Sequence, residues 1–238
     1  MNVHLRFLYL AGLMLIILGC INNSDPELEN IPVVMEGNLL LDSDSENIVE
    51  LNWINQPSAF NITDGQIEII AEKETDFFNN PEDGSISATA PLLFIEQNGD
   101  FVAKALVKPD FSSLWNAACL MVHIDSLNWI KFAFENSDAT GKSIVTVVTK
   151  GVSDDANGVI LETEDQVWLK MIRKGNIYSM LWSLDDENYK MARLTSLPEA
   201  ENVKIGVEVQ CPVGESAKHK VLYFGVEEKT VEDLRKGK

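Results

Sequence analysis

The chain is poor in the residues that carry most metal, redox and nucleophilic chemistry, with three cysteines and three histidines in 238 residues. Past the N-terminal region only His123 and His219 remain. They are far apart and have no Cys or carboxylate at ligand spacing, which argues against a zinc centre. No Gly-x-Ser-x-Gly elbow occurs, and no Cys/His pair has a recognisable spacing, so the common nucleophilic patterns are missing. Gly141-Lys142-Ser143 mimics the tail of a phosphate loop, but Asn136 stands where that loop needs glycine, and the context is a hairpin. Positive charge is scarce: 19 Lys and Arg against 37 Asp and Glu give a formal charge of −18. The only basic cluster is Arg235-Lys236-Gly237-Lys238, so no footprint exists for a phosphate backbone, and nucleic acid is excluded as a partner. Long segments of 3.6-residue periodicity are also absent; only residues 228–236 look helical.

The one long apolar run lies at the start, Phe7 to Leu18, after a single Arg6. It is too short and too weakly flanked for a spanning helix and fits a secretion signal over residues 1–19. Its end, Ile17-Leu18-Gly19-Cys20, resembles a bacterial lipobox, which implies cleavage before Cys20 and lipid attachment there. Loss of residues 1–19 removes Arg6 and no acid, shifting the formal charge from −18 to −19. Cys20 and the polar residues to Asn30 form a tether. The expectation is an exported membrane lipoprotein, periplasmic or on the cell surface, that touches the membrane through its anchor alone. Cys119 and Cys211 fall in predicted strands, where they are either buried free thiols or a disulfide, and spacing cannot choose between these.

From about residue 31 to 228 the chain is a succession of short β-type runs: 48–54, 66–70, 92–96, 100–107, 118–124, 128–135, 143–149, 166–173, 176–184, 188–194, 203–210 and 219–226. Asp64-Gly65, Asn98-Gly99, Thr140-Gly141, Asn157-Gly158 and Gly175-Asn176 punctuate them. The pattern fits one all-β domain, a two-sheet antiparallel β-sandwich of jelly-roll type, with residues 229–238 as a C-terminal tail.

Residues 118–154 are the most informative stretch. In Asn128–Glu135 the period-2 pattern puts Ile130, Phe132 and Phe134 on one face and Trp129, Lys131, Ala133 and Glu135 on the other. The preceding run places Leu120, Val122 and Ile124 against Cys119, Met121 and His123. A three-residue Ser126-Leu127-Asn128 connection then pairs like face with like and sets His123 opposite Lys131.

Leu51–Pro57, Thr75-Asp76-Phe77-Phe78, Asn98–Phe101, Cys119–Val122, Trp129-Ile130-Lys131, Glu135, Val147-Val148-Thr149 and Ser153-Asp154 occur in an order that resembles the regulation-of-enolase-type domain family, within the concanavalin A-like lectin/glucanase superfamily. Leu169–Leu184 and Val203–Gly214 continue the likeness. The resemblance implies a two-sheet jelly roll whose concave sheet is, in the wider superfamily, where sugars bind or are cut. The chain carries Asp100, Phe78, Asp155 and His123 where the family more usually has His, Trp, Trp and Arg.

Glycosidases need two carboxylates across a sugar. The Glu-x-Asp-x-x-Glu string of the superfamily's glucanases is absent, leaving Glu135 and Glu208 as weak catalytic candidates. The acidic runs Asp42–Glu46 and Glu72–Asp76 fit solvated turns. The first lacks the glycine and the final Glu of an EF-hand, though a single structural calcium on a loop remains an expectation drawn from the superfamily. Flat rings that could stack on a sugar include Trp53, Trp115, Trp129, Trp168 and Trp182. Trp129 is preferred, because it shares a face with Lys131 and Glu135, and Trp115 is second. Three functions follow, in this order: a lipid-anchored module that binds a glycan through His123, Trp129, Lys131, Glu135, Glu208, Gln210 and Trp115; a structural or adaptor lipoprotein with no small ligand; and a glycoside hydrolase using Glu135 and Glu208.

Overall fold

A computed structural model describes residues 36–44, 46 and 50–238. The signal at 1–19, Cys20 and the tether to residue 30 lie outside the described residues. Among the described residues sixteen strands follow one another: β1 Asn52–Ile54, β2 Phe60–Thr63, β3 Gln66–Glu72, β4 Phe77–Asn79, β5 Ile86–Ala88, β6 Leu92–Asn98, β7 Phe101–Lys108, β8 Ala117–Asp125, β9 Asn128–Ser137, β10 Gly141–Lys150, β11 Val152–Ile160, β12 Val167–Lys174, β13 Ile177–Ser183, β14 Lys190–Ser196, β15 Asn202–Gln210 and β16 Ser216–Glu227. Two antiparallel seven-stranded sheets result, ordered β1-β6-β15-β8-β9-β10-β11 and β14-β13-β12-β7-β16-β3-β2, with a separate β4-β5 ribbon. No helix forms among the described residues; 228–236, expected helical, ends instead in a turn over 234–237. Nine residues are too few for a helix to persist on propensity alone.

The sheets close on one core because their alternating apolar residues face each other. Ile130, Phe132 and Phe134 of β9, Leu120 and Val122 of β8, and Ile205, Val207 and Val209 of β15 meet Phe101, Ala103 and Ala105 of β7, Leu169 and Met171 of β12, and Ile67 and Ile69 of β3. Burying such side chains contributes about 25 cal/mol per Å² of apolar surface. Gly206 is fixed by close approach: a Cβ there would lie 2.1 Å from the Leu93 carbonyl oxygen. Only a residue without a side chain fits.

Two features of the β8-β9 hairpin differ from expectation. The connection is two residues, Ser126-Leu127, with an irregularity between His123 and Asp125, so His123 stands opposite Trp129, and Lys131 opposite Met121. The slip is by two residues, which leaves every side chain on its expected face. A similar irregularity between Val221 and Tyr223 of β16 lets both Val221 and Phe224 enter the core. Cys119 and Cys211 are both buried and unpaired with each other.

Candidate functional site

The outward face of the first sheet is not bare. Residues 75–90 cross it as a strap whose central β4-β5 ribbon lays Phe77 onto the sheet. Phe77 packs with Leu92, Phe94, Cys119, Met121, Trp129, Ala133 and Val145 as a second, smaller core. Its ring meets Trp129 edge-on at a centroid separation of 6.0 Å and His123 at 5.9 Å. The strap is pinned along its length. The Asn79 N–H donates to Ser153 Oγ at 2.9 Å, and Asn79 Nδ2 donates to the Gly151 and Ser126 carbonyls. Asn55 Nδ2 donates to the carbonyls of Ala88 and Ala90 on its return arm. The Cys211 N–H donates to Thr75 Oγ1 at 2.9 Å.

Lys131 marks the edge of the sealed region. It is 2% exposed, and its ammonium donates to Asp76 Oδ1 at 2.8 Å, to the Phe77 carbonyl at 2.9 Å and to Gln210 Oε1 at 2.6 Å. An ammonium has three hydrogens, so its donors are fully used. Asp76, carboxylates nearby and the strap's carbonyl offset the cost of burying the charge, and the lysine's pKa is driven up. Gln210 passes the order on: its Nε2 donates to the Trp115 carbonyl at 2.8 Å and fixes the loop before β8. Beneath it, His219 Nε2 lies 3.1 Å from the Gln210 carbonyl, while Nδ1 accepts the Asp110 N–H at 3.2 Å. That ring is therefore the Nε2–H tautomer. Burial pushes its pKa down to about 4.

Past Lys131 the strap lifts away and a cavity of about 330 Å³ opens. Lys131, Glu135, Val147 and Gln210 form its floor, Asp76, Phe78 and Asn80 of the strap one wall, and Trp115, Asp138 and Asp155 line the rest. Asp155 belongs there because it pairs with Val147, which pairs with Lys131, in one row across β11, β10 and β9. Trp115, 38% exposed, sits at φ +59° in the loop before β8, held by its own N–H to the Asn136 carbonyl. Glu135 is 7% exposed and its carboxyl hydrogen-bonds to no described residue; burial first, and the neighbouring Asp155 and Asp76, push that carboxyl up to about 8 against the pull of Lys131. Asp155 is shifted up by the same cause.

The expected site residues thus divide. Lys131, Glu135, Gln210 and Trp115 come together at the cavity. Trp129 does not: at 1% exposure beneath Phe77 it offers no open ring, which corrects its assignment as the stacking residue. His123 stacks against the edge of the same phenylalanine, half-buried and away from the cavity, its pKa lowered by burial and by Lys204. Glu208 is fully buried, with neither carboxyl oxygen in a hydrogen bond of normal geometry; the Lys131 charge first, and then the Cys119 thiol, favour its ionised form. Burial nonetheless raises it to about 7. Glu208 does not line the cavity, so it and Glu135 do not face a common substrate. Asp76 and Asp155 enter instead. Glu72–Asp76, expected as a solvated turn, delivers the buried lysine's partner. Lys131 alternates onto the face opposite the core stripe, where a lysine meets solvent or ligand and needs no protein partner, so nothing along the strand announced that Asp76 would cover it. Among the described residues no three His, Cys, Asp or Glu side chains gather as metal ligands.

These features define the class: a two-sheet antiparallel β-sandwich with a strapped outer face and a cavity at the strap's edge. The chain belongs to the family described as a protein of unknown function, DUF1349, whose model matches residues 53–229. Among relatives, it is 24% identical over 167 residues to "Regulation of enolase protein 1" of Saccharomyces cerevisiae, covering 70% of this chain and 84% of that protein. The fold is similar to that of a functionally unknown Saccharomyces cerevisiae protein, with TM-score 0.72 and 22% identity over 76% of this chain and 98% of the other. It is also similar to parts of longer structures. One is the GH43 BlXynB protein of Bacillus licheniformis, with TM-score 0.64, 11% identity and coverage of 81% of this chain and 39% of that one. Another is the xyloglucan PUL GH43B of Bacteroides ovatus, with TM-score 0.61, 15% identity and coverage of 81% and 40%. The chain therefore spans about two fifths of either GH43 protein.

Proposed function

We propose that the protein is a lipid-anchored carbohydrate-binding domain of the bacterial cell envelope, which takes a glycan, free or on a glycan-bearing surface, in the cavity bounded by Phe78, Trp115, Lys131, Glu135 and Asp155. The observation that carries this reading is the cavity itself. It is a pre-formed recess of about 330 Å³ at the end of one sheet face, with two rings at its wall and carboxylate and amide groups around it. A ring that presents its face to a sugar's C–H groups while carboxylates accept from its hydroxyls is the usual division of labour in such sites. The sandwich likeness to GH43 proteins supports the class of ligand. The lipobox-like Cys20 supports the anchor, and mass spectrometry of the membrane-extracted protein tests it: a diacylglyceryl mass on Cys20 is expected, and an unmodified thiol removes the anchor. A glycan array with plant and bacterial polysaccharides tests the ligand. Binding to at least one glycan class, weakened about tenfold in Trp115→Ala, is expected; silence across the array overturns it.

The adaptor reading gains one observation. The strap fills most of the outward face with the protein's own side chains, leaving the cavity as the part open to a small molecule. Array silence would favour it.

A further inference from the structure

The charges around the cavity do not balance. Lys131 is its only cation, and that ammonium is already saturated by Asp76, the Phe77 carbonyl and Gln210. The Glu135 carboxyl, on a residue more than nine-tenths buried and lining the cavity, is left with no hydrogen-bonding partner among the described residues. Asp155 and Asp138 add two more carboxylates on the open side, neither in an ion pair with a described residue. A neutral hydroxyl would meet Glu135 in the protonated form that burial favours and leave Asp155 and Asp138 uncompensated, whereas a cation beside Glu135 draws its carboxyl into the ionised form. A primary ammonium brings both the donors and the charge. Its flanks are also provided for, because the rings of Phe78 and Trp115 stand at the wall, and an aromatic face attracts a cation within about 6 Å.

We infer that the cavity selects an amine-bearing ligand, an amino sugar whose free ammonium is taken by Glu135 while its ring lies against Phe78 or Trp115 and Asp155 adds negative charge from the wall. The inference rests on the reading of the cavity as a carbohydrate site and names the class of sugar. N-acetylation removes the charge and adds bulk beside Glu135, so the acetylated form of the same sugar is the discriminating control. Uronic acids are disfavoured by the same carboxylates.

Isothermal titration calorimetry of the full chain at pH 7 tests it with three probes: a glucosamine disaccharide with free amines, its N-acetylated counterpart, and cyclohexylamine, which carries an ammonium on a six-membered ring without hydroxyls. The free-amine disaccharide is expected to bind about tenfold more tightly than the acetylated one, the order of one charge-assisted hydrogen bond. Glu135→Gln and Asp155→Asn should each cut that preference to about twofold. Gln keeps the shape of a carboxyl that burial already biases towards its neutral form. Asp155 sits exposed on the edge strand β11, so at least one variant retains the fold. Equal affinity for the two disaccharides overturns the amine preference and leaves the carbohydrate reading standing. Cyclohexylamine binding as tightly as the amino disaccharide keeps the amine preference and overturns the carbohydrate reading. Binding by none of the three overturns both.

Discussion

The two ends of strand β9 carry the same kind of face and meet different fates. At one end Trp129 lies under Phe77, dry and packed; at the other Glu135 looks into a cavity with no partner. Lys131 stands between them and is the hinge of the difference, because it ties the strap to the sheet through Asp76 and the Phe77 carbonyl. Alternation along a strand assigns side chains to faces but says nothing about what else the chain lays over a face. An amphipathic sheet face is therefore ligand-binding only where the protein leaves it uncovered.

The sharpest way to break this contrast is at the sealed end. Trp129→Ala should lower unfolding free energy by about 3–5 kcal/mol, as expected for truncating a fully buried tryptophan. Glycan affinity of the folded fraction should stay unchanged. Urea denaturation followed by calorimetry on the folded protein measures both, and a lost affinity with intact stability would place the ring in the site after all. At the hinge, Lys131→Met removes one member of a buried ion pair and should cost about 3 kcal/mol in the same denaturation experiment, since Asp76 keeps some contact with water. Affinity should fall with it, because Gln210 and the strap wall lose their anchor.

The buried carboxylates sharpen the comparison through pH. Glu208 is shifted from 4.5 to about 7 in the folded state, so between those values the unfolded chain gives up the proton first. The Glu208 contribution to stability therefore falls as pH rises from about 4.5 to 7, set against a rise over about pH 4 to 6.5 from His219 and a further fall up to about 8 from Glu135, so the difference between variant and wild type isolates it. Glu208→Gln should remove that contribution and leave the protein roughly 2 kcal/mol more stable than wild type at pH 8, with no gain below pH 4.5. Denaturation midpoints across pH 4–9 decide it. An unchanged slope in the variant would mean that Glu208 is not the group responsible. The smallest effect on stability belongs to the open end. Trp115→Ala should change unfolding free energy by no more than about 0.5 kcal/mol, as for an exposed loop residue, while weakening glycan binding about tenfold.

Much of the sandwich was legible from alternation and turn residues, since β6 to β10, β12, β13, β15 and β16 carry apolar positions at every second residue over lengths of seven or more. The edge strand β11 was not, because Asp154, Asp155 and Asn157-Gly158 carry turn chemistry and its side chains are mostly exposed, so no apolar stripe marks it. The strap escaped for a related reason. Its strands β4 and β5 are three residues each, too short for a period, and Glu72–Asp76 looked like a solvated turn. Of the site, Lys131, Glu135, Gln210 and Trp115 were readable as face or loop residues, whereas Asp76 and Asp155 were not.

What the sequence by itself determined is the all-β class, the two faces of β8, β9 and β15, and the family to which the chain belongs, because these depend on periodicity and on residues close along the chain. Which part of the outward face is core and which is cavity was decided only in three dimensions. That choice depends on where a strap some fifty residues earlier in the chain comes to rest, and its resting place is set by a salt bridge between Asp76 and Lys131 that no local pattern announces.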